Sequence, residues 1–153
     1  ASATVRTDTL GNYVFTNMPV GGNYTVTPER DSNDLNGVST FDLVLISKHI
    51  LWLEIFDSPW KIIAGDANKS NSLTTFDIVE IRKVILGINN AYPANTSWRF
   101  FPAYTSFSNP ATPFSAPLPP ESISISNLSG NYTGADFKGV KTGDANNSAD
   151  PKY

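Results

Sequence analysis

The stretch "GDANKSNSLTTFDIVEIRKVILG", residues 65–87, carries oxygen-bearing side chains at every second position and then continues as a helix. A calcium ion takes six to eight oxygen ligands from a loop of this kind, with a backbone carbonyl at position 7. Counted from the first aspartate, loop positions 1, 3, 5, 7 and 12 fall on Asp66, Asn68, Ser70, Ser72 and Asp77. The stretch therefore predicts a calcium loop. The alternative is a loop that only caps the following helix, through Thr74, Thr75 or Asp77.

The same loop–helix unit occurs twice. The two copies align over fifteen residues, "VSTFDLVLISKHILW" at 38–52 and "LTTFDIVEIRKVILG" at 73–87. Both copies keep an aspartate where the loop meets the helix. Apolar residues recur at helical spacing in each copy, which predicts two amphipathic helices that pack on each other. Gly87 follows the second helix, at a place where glycine commonly ends a helix.

The loop before the first helix, "DSNDLNGVSTFD" at 31–42, fits the calcium pattern less completely. Its candidate ligands at positions 1, 3, 7 and 12 are Asp31, Asn33, Gly37 and Asp42. Position 5 is Leu35, which offers only a backbone carbonyl, and the neighbouring Asp34 and Asn36 are alternatives. We therefore expect the second loop to bind calcium more tightly than the first.

A third, partial loop lies near the end of the sequence. "GDANNSA" at 143–149 repeats "GDANKSN" at 65–71. Its candidate ligands at positions 1, 3 and 5 are Asp144, Asn146 and Ser148. No residue stands at position 12, so a complete site needs a ligand from elsewhere in this chain or from another chain. The alternative is a polar tail.

Residues 31–88 carry a duplicated pattern that resembles a dockerin. The pattern is D-x-N-x-S/L…TFD-[LI]-V…K…IL. The resemblance implies a non-catalytic module of two calcium loop–helix units in a bacterial secreted or cell-surface protein. It also implies contacts with a cohesin-like partner at loop positions 10 and 11, which here are Thr40, Phe41, Thr75 and Phe76. The two phenylalanines are alternatively core residues, and we favour this interpretation because aromatic side chains are more often buried.

The N-terminal stretch "TDTLGNYVFTNMPVGGNYTVTPERD", residues 7–31, is similar to the C-terminal part of a Cna-B-like or carboxypeptidase-regulatory-like β-sandwich domain. The alternation of Tyr13 and Phe15 predicts a strand with one buried face. A sandwich of this kind needs about seven strands and roughly 100 residues, so only part of one is present. Its missing strands are expected from the C-terminal third, where Ile123 and Ile125 alternate with serines, or from a neighbouring chain by strand addition.

These features predict an α+β chain in three parts. Residues 1–30 are a partial β-sandwich segment, and residues 31–90 are a two-helix, dockerin-like calcium module. Residues 91–153 are a segment of strands and irregular structure with a third, partial calcium loop at 144–150. The prediction for the whole chain is therefore a helical calcium module set between β segments.

Composition limits the possible functions. The chain has 153 residues, a net charge of −3 and no cysteine. The negative charge argues against nucleic acid, and no apolar run has the length needed for membrane insertion. Without disulfides, calcium would act as the staple of an extracellular module. The only histidine, His49, aligns with Val84 of the second copy and is interpreted as structural, so no enzyme is predicted. Candidate glycosylation sites are Asn23, Asn95, Asn127 and Asn131.

The sequence thus predicts a non-catalytic, extracellular or cell-surface protein that binds Ca²⁺ at two sites, with a third partial site. Two functions remain open. One is a structural subunit that assembles head to tail with copies of itself into a fibre or surface scaffold by strand exchange. The alternative is a dockerin-type attachment module of a large secreted protein that recruits a cohesin-like partner.

Overall fold

The computed structural model describes residues 2–153. The elements in chain order are β1 (Tyr24–Val26), α1 (Thr40–Ile50), α2 (Pro59–Gly65), α3 (Thr75–Ile85), β2 (Trp98–Pro102), a short 3-10 helix (Pro113–Ser115), β3 (Ile123–Ile125) and β4 (Phe137–Lys141). The predicted α+β class is confirmed. No helix in the described part of the chain is long and apolar enough to span a bilayer.

The two repeated helices begin with the same reciprocal cap. The Ser39 hydroxyl accepts a hydrogen bond from the Phe41 N–H, and the Asp42 carboxylate accepts one from the Ser39 N–H at 2.8 Å. Thr74 and Asp77 form the matching cap of α3, with the aspartate bond again at 2.8 Å. Such capping boxes satisfy N–H groups that the first helical turn leaves without partners. Because each aspartate caps its helix with a single oxygen, the cap does not exclude a metal ligand.

The two helices end alike but with different residues. Gly87 follows α3 with φ of +68°, and the next N–H donates to the Lys83 carbonyl at 2.9 Å. Trp52 takes the equivalent place after α1 with φ of +59°, and the next N–H donates to the Lys48 carbonyl at 2.9 Å. A left-handed ending of this kind usually uses glycine, so Trp52 carries strain of about 1 kcal/mol.

The main core lies between α1 and α3 and includes parts of both G-D-A-N stretches. Its buried members are Val38, Leu43, Ile46, Ala67, Ile81, Val84, Tyr92 and Ala145. Ala67 and Ala145 hold the same place in the two G-D-A-N stretches, and each is 1% exposed. The C-terminal stretch therefore packs into the helical core, which a solvated polar tail would not do.

A second core lies between α2 and the sheet formed by β2 and β4. β2 pairs antiparallel with β4, with Trp98 opposite Lys141. Ile63 and Ala64 of α2 are buried there against Phe101 of β2. Residues 59–65 lie in the connector between the two repeats, where the repeat pattern predicts no helix.

The other sheet joins the two ends of the chain. β1 pairs antiparallel with β3, with Tyr24 opposite Ile125. The C-terminal third therefore supplies a partner for β1 within the same chain. The strand expected around Tyr13 and Phe15 is not present, because the backbone there has no ladder partner among residues 2–153. Each sheet has two strands, which is far short of the seven that the predicted sandwich requires.

Candidate metal centres

The second predicted loop, residues 66–77, is called here the contiguous loop because all its candidate ligands lie in one segment. It folds around Asp66. Its Oδ1 accepts a hydrogen bond from the Ser70 N–H at 2.9 Å, and its Oδ2 accepts one from the Asn71 N–H at 2.9 Å. The side-chain oxygen of Asn68 accepts from the same Ser70 N–H at 3.0 Å. The Ser70 hydroxyl donates to Asp66 Oδ1 and to the Ser72 carbonyl, each at 3.3 Å. These contacts bring together the predicted ligands at positions 1, 3, 5 and 7.

Asp77 closes this loop from the first turn of α3. One carboxylate oxygen caps the helix, and the other accepts a hydrogen bond from the Asn68 N–H at 3.2 Å. Asp66 and Asp77 are both 0% exposed, so the two carboxylates share one buried site. The structure thus brings together all five residues predicted for the second loop.

A second group of the same kind is built from two distant parts of the chain. Asp144 Oδ1 accepts from the Ser148 N–H at 3.0 Å, and Oδ2 accepts from the Ala149 N–H at 2.8 Å. The side-chain oxygen of Asn146 accepts from the same Ser148 N–H at 3.1 Å. The Ser148 hydroxyl donates to the Gly37 carbonyl at 3.1 Å, across a separation of 111 residues.

Asp42 completes this composite site from the first turn of α1. Its Oδ1 accepts a hydrogen bond from the Ala145 N–H at 2.9 Å, while its Oδ2 caps the helix. The composite site therefore has the following residues at positions 1, 3, 5, 7 and 12: Asp144, Asn146, Ser148, Gly37 and Asp42. Its hydrogen bonds closely match those of the contiguous loop, so the positions 7 and 12 that the third, partial loop lacks are filled by residues of the same chain.

Asp31 and Asn33, predicted at positions 1 and 3 of the first loop, make other contacts in the structure. Asp31 Oδ1 accepts a hydrogen bond from the Ser97 N–H at 2.8 Å, and the Asn33 carbonyl accepts one from the Asn36 N–H at 3.0 Å. Asp144 and Asn146 take the places expected for Asp31 and Asn33 beside Asp42. The physical reason is that the segment 31–37 has leucine at position 5, whereas the tail supplies a hydroxyl there and an alanine that fills the core.

Further contacts hold the tail in place. The Arg30 guanidinium donates to the carbonyls of Pro151 and Tyr153. The Asn36 side chain donates to the Asp150 carbonyl at 2.6 Å and accepts from the Asp150 N–H at 3.1 Å. Asn36 was an alternative ligand of the first loop, and the structure gives it the different task of binding the tail. Arg30 was not identified from the sequence, since a lone arginine carries no spacing signal.

A buried lysine lies beside the composite site. Lys141 Nζ donates to the backbone carbonyls of Asp34 and Thr142 at 2.7 Å and 3.2 Å. Burial lowers the pKa of Lys141 to about 8, although the nearby charges of Asp34 and Asp144 act in the opposite direction. Because the ammonium group binds carbonyls, it does not form an ion pair with the carboxylates of the site.

Each site places two buried carboxylates together without a direct ion pair to a lysine or arginine of the described chain. Burial raises the pKa of Asp42, and the charge of Asp144 adds to the effect. Burial likewise raises the pKa of Asp77, with a further contribution from Asp66. Within residues 2–153, no lysine or arginine forms an ion pair with any of these four residues. Two buried like charges are costly without a counter-charge, and a bound cation removes that cost.

The type of donor indicates which cation fits. Each site offers two carboxylates, one amide oxygen, one hydroxyl and one backbone carbonyl. With only two acidic residues at each site, no cluster of three or more acidic, histidine or cysteine side chains forms in the described chain. Calcium accepts such a mixed set of oxygen donors, whereas magnesium usually keeps several waters and zinc favours nitrogen and sulfur.

The contiguous loop has a supporting residue that sequence reasoning missed in this role. Asn95 Nδ2 donates to the Asp66 carbonyl at 3.1 Å, so its amide helps to hold the loop. From the sequence, Asn95 is predicted only as a glycosylation site. Of the other such candidates, Asn23 accepts a hydrogen bond from the Asn127 N–H at 2.8 Å, and Asn131 is exposed.

The residues at loop positions 10 and 11 face solvent. Phe41 is 56% exposed and Phe76 is 72% exposed, and Thr40 and Thr75 beside them are also exposed. The favoured interpretation of the two phenylalanines as core residues is therefore wrong. Each follows the first residue of its helix and points away from the α1–α3 contact, whose apolar positions are filled by residues such as Ile46.

Gly37 provides a test of tail docking that changes no side-chain ligand. Its φ is +72°, and an added Cβ would lie 2.4 Å from the Ala149 nitrogen. We expect Gly37→Ala to displace the tail and lower the free energy of unfolding by about 2–4 kcal/mol in calcium, measured by chemical denaturation. Gly87→Ala is the matched control, because Gly87 has φ of +68° and nothing within 4 Å of its Cβ position. It should cost about 1 kcal/mol, and an equal loss in both variants would contradict the tail contact.

Comparison of the chain with protein-family models, curated proteins and solved structures finds no match. A function for this chain must therefore be argued from its own residues.

Proposed function

We propose that this chain is a non-catalytic, calcium-binding structural subunit of an extracellular assembly. The observation that carries the proposal is the pair of matching sites. Each holds two buried carboxylates with a closely similar hydrogen-bond pattern and without a direct ion pair to a basic side chain of the described chain. Because the two sites are alike in donors and in hydrogen bonding, both are assigned to Ca²⁺.

The two ions would have different structural effects. In the contiguous loop, Asp66 to Asp77, the ion would fix the loop against the helix that directly follows it. In the composite site, the ion would join the C-terminal tail to the start of α1, because Asp144 and Asp42 lie in distant parts of the sequence. Closing a long loop in this way is what a disulfide does in many extracellular modules, and this chain has no cysteine.

Calcium titration tests this proposal. We expect isothermal titration calorimetry to find two bound ions per chain. If each site has a Kd near 10 μM, calcium at about 1 mM adds roughly 2.7 kcal/mol per site. Two sites would raise Tm by about 10–20 °C for a chain of this size. Magnesium at the same concentration is the control and should give a much smaller rise. A Tm that is the same in calcium and in chelator would contradict the proposal.

The assembly part of the proposal is head-to-tail association of copies by strand exchange. Its support is that residues 2–16 have no ladder partner within the described part of the chain, where both sheets have only two strands. Sheets of this size gain stability when further strands are added. Sedimentation of the calcium-loaded chain should therefore show species larger than a monomer.

The exposed aromatic residues favour a second candidate function, a dockerin-type attachment module. Phe41 and Phe76 occupy equivalent positions at the starts of α1 and α3, and both are largely exposed. Exposed aromatic side chains in repeated positions suit a partner protein that has a flat apolar surface. A chain that binds two calcium ions and remains a monomer at high concentration would favour this candidate over the structural subunit.

A further inference from the structure

The chain exposes more surface than its size requires. A compact monomer of 16.6 kDa is expected to expose about 7,600 Å² of surface. This chain exposes 9502 Å², an excess of about 1,900 Å². A stable protein–protein interface buries about 800 Å² on each partner, so the excess is large enough for such an interface.

Part of this surface belongs to an N-terminal arm, defined here as residues 2–16. The Asp8 N–H donates to the Asn12 carbonyl at 2.9 Å, and the Gly11 N–H donates to the Asp8 carbonyl at 3.0 Å. These two bonds close a turn, and no other backbone–backbone bond of the arm occurs in the described chain. The arm therefore has the form of an open hairpin whose flanks present unpaired N–H and C=O groups.

One face of the arm contacts the rest of the chain. Tyr13 and Phe15 are half-buried and pack edge to face, with ring centroids 6.0 Å apart. The Tyr13 hydroxyl donates to the Ala135 carbonyl. On the opposite side, Val14 is 69% exposed and Leu10 at the turn is 82% exposed. An extended segment with exposed apolar side chains and an unpaired backbone is suited to strand addition.

The sheet of β1 and β3 provides an edge for such a strand. Each of its strands has three residues, and Thr25 and Ser124 lie exposed on its surface, with their hydroxyl oxygens 3.3 Å apart. The other sheet is less available, because four of the five residues of β2 are buried and α2 packs against β4. Among the described residues β1 pairs only with β3, so no strand is paired with its second edge, which is called here the free edge.

We propose that the N-terminal arm of one copy adds as a strand to the free edge of β1 in a second copy of this chain. Each copy has one arm and one such edge, and they are different surfaces, so the contact is heterologous and joins copies head to tail, into an open filament or a closed ring. The inference rests on the proposed structural function and names the surfaces through which copies associate.

Cross-linking of single-cysteine variants tests this contact, because the natural sequence has no cysteine. Val14→Cys places a thiol on the exposed side of the arm, and Thr25→Cys places one on β1. The two variants are given different tags, mixed in calcium and treated with a short bis-maleimide, which tolerates uncertainty in strand register. We expect a heterodimer carrying both tags. Val14→Cys mixed with Ser108→Cys is the control and should give little product, because Ser108 is an exposed residue of the loop between β2 and the 3-10 helix and is not part of the β1–β3 sheet.

A second variant separates failure of this inference from failure of the proposed function. A chain that lacks residues 2–16 keeps every residue of both metal sites. It should sediment as a monomer and still bind two calcium ions. Assembly that persists without the arm, or a mixture that yields no more heterodimer than the Ser108→Cys control, would overturn the inference. Loss of calcium binding in the full-length chain would instead contradict the proposed function.

Discussion

Replacing Asp144 with alanine is expected to reduce the number of bound calcium ions from two to one. Asp144 supplies position 1 of the composite site, and its two oxygens also hold the tail through the Ser148 and Ala149 N–H groups. Loss of a buried, hydrogen-bonded carboxylate costs about 3 kcal/mol, which corresponds to more than 100-fold in Kd. Isothermal titration calorimetry measures both the stoichiometry and the remaining affinity, which should be that of the contiguous loop.

Asp31→Ala is the control for this experiment. Asp31 occupies position 1 if the first loop is read as a continuous segment, but in the structure its carboxylate binds the Ser97 N–H. This variant should keep two calcium ions and lose only the contribution of one hydrogen bond, about 1 kcal/mol of stability. If Asp31→Ala loses one ion while Asp144→Ala keeps both, the composite site is wrong and the continuous loop is correct.

The composite site also changes which of the two calcium sites is expected to have the higher affinity. Read along the sequence, the first loop is the weaker one, because Leu35 has no side-chain oxygen at position 5. In the structure Ser148 takes that position, so both sites have the same donor types. We therefore expect Asp42→Ala and Asp77→Ala to weaken calcium binding and stability to a similar extent.

The contiguous loop could be predicted from the sequence because all its candidate ligands lie between Asp66 and Asp77. Periodicity and capping residues are local properties, so α1 and α3 were also predictable. The composite site was not, because Asp144 and Asp42 are brought together only by packing of the whole chain. The available signal was the G-D-A-N repeat at 143–146, whose alanine is buried in the same way as that of the contiguous loop.

Other differences have local explanations. The start of α2 has a signal in Ser58 followed by Pro59, the N-cap and first-turn residues of a short helix. Phe41 and Phe76 were placed in the core because aromatic residues are usually buried. The type of a side chain does not show which face of its helix is buried. The exposure of Phe41 and Phe76 depends on how α1 and α3 pack against each other.

Acidification is expected to change the stability in opposite directions with and without calcium. In calcium-free protein, burial raises the pKa of Asp42 and Asp77, so the folded chain holds these protons more tightly than the unfolded chain. The resulting stabilisation is full below the ordinary pKa of 3.8 and is lost as the pH rises through the folded-state values. In calcium the ligands must be ionised, so stability falls as the pH falls.

Thermal unfolding between about pH 7 and pH 4 measures both trends, with metal-free buffer for one series and excess calcium for the other. The double variant Asp42→Asn, Asp77→Asn keeps one side-chain oxygen at each position to accept the capping hydrogen bond and removes both titrating groups. The second oxygen, which accepts from the Ala145 or Asn68 N–H, is lost in the variant. The double variant should therefore lose most of the difference between the two series, whereas other carboxylates affect all samples alike. Parallel pH profiles for the natural chain in both buffers would contradict the assignment of these buried aspartates as calcium ligands. If Tm rises with falling pH in metal-free buffer and falls in calcium, and the double variant shows neither trend, then the same carboxylates bind protons in one series and calcium in the other.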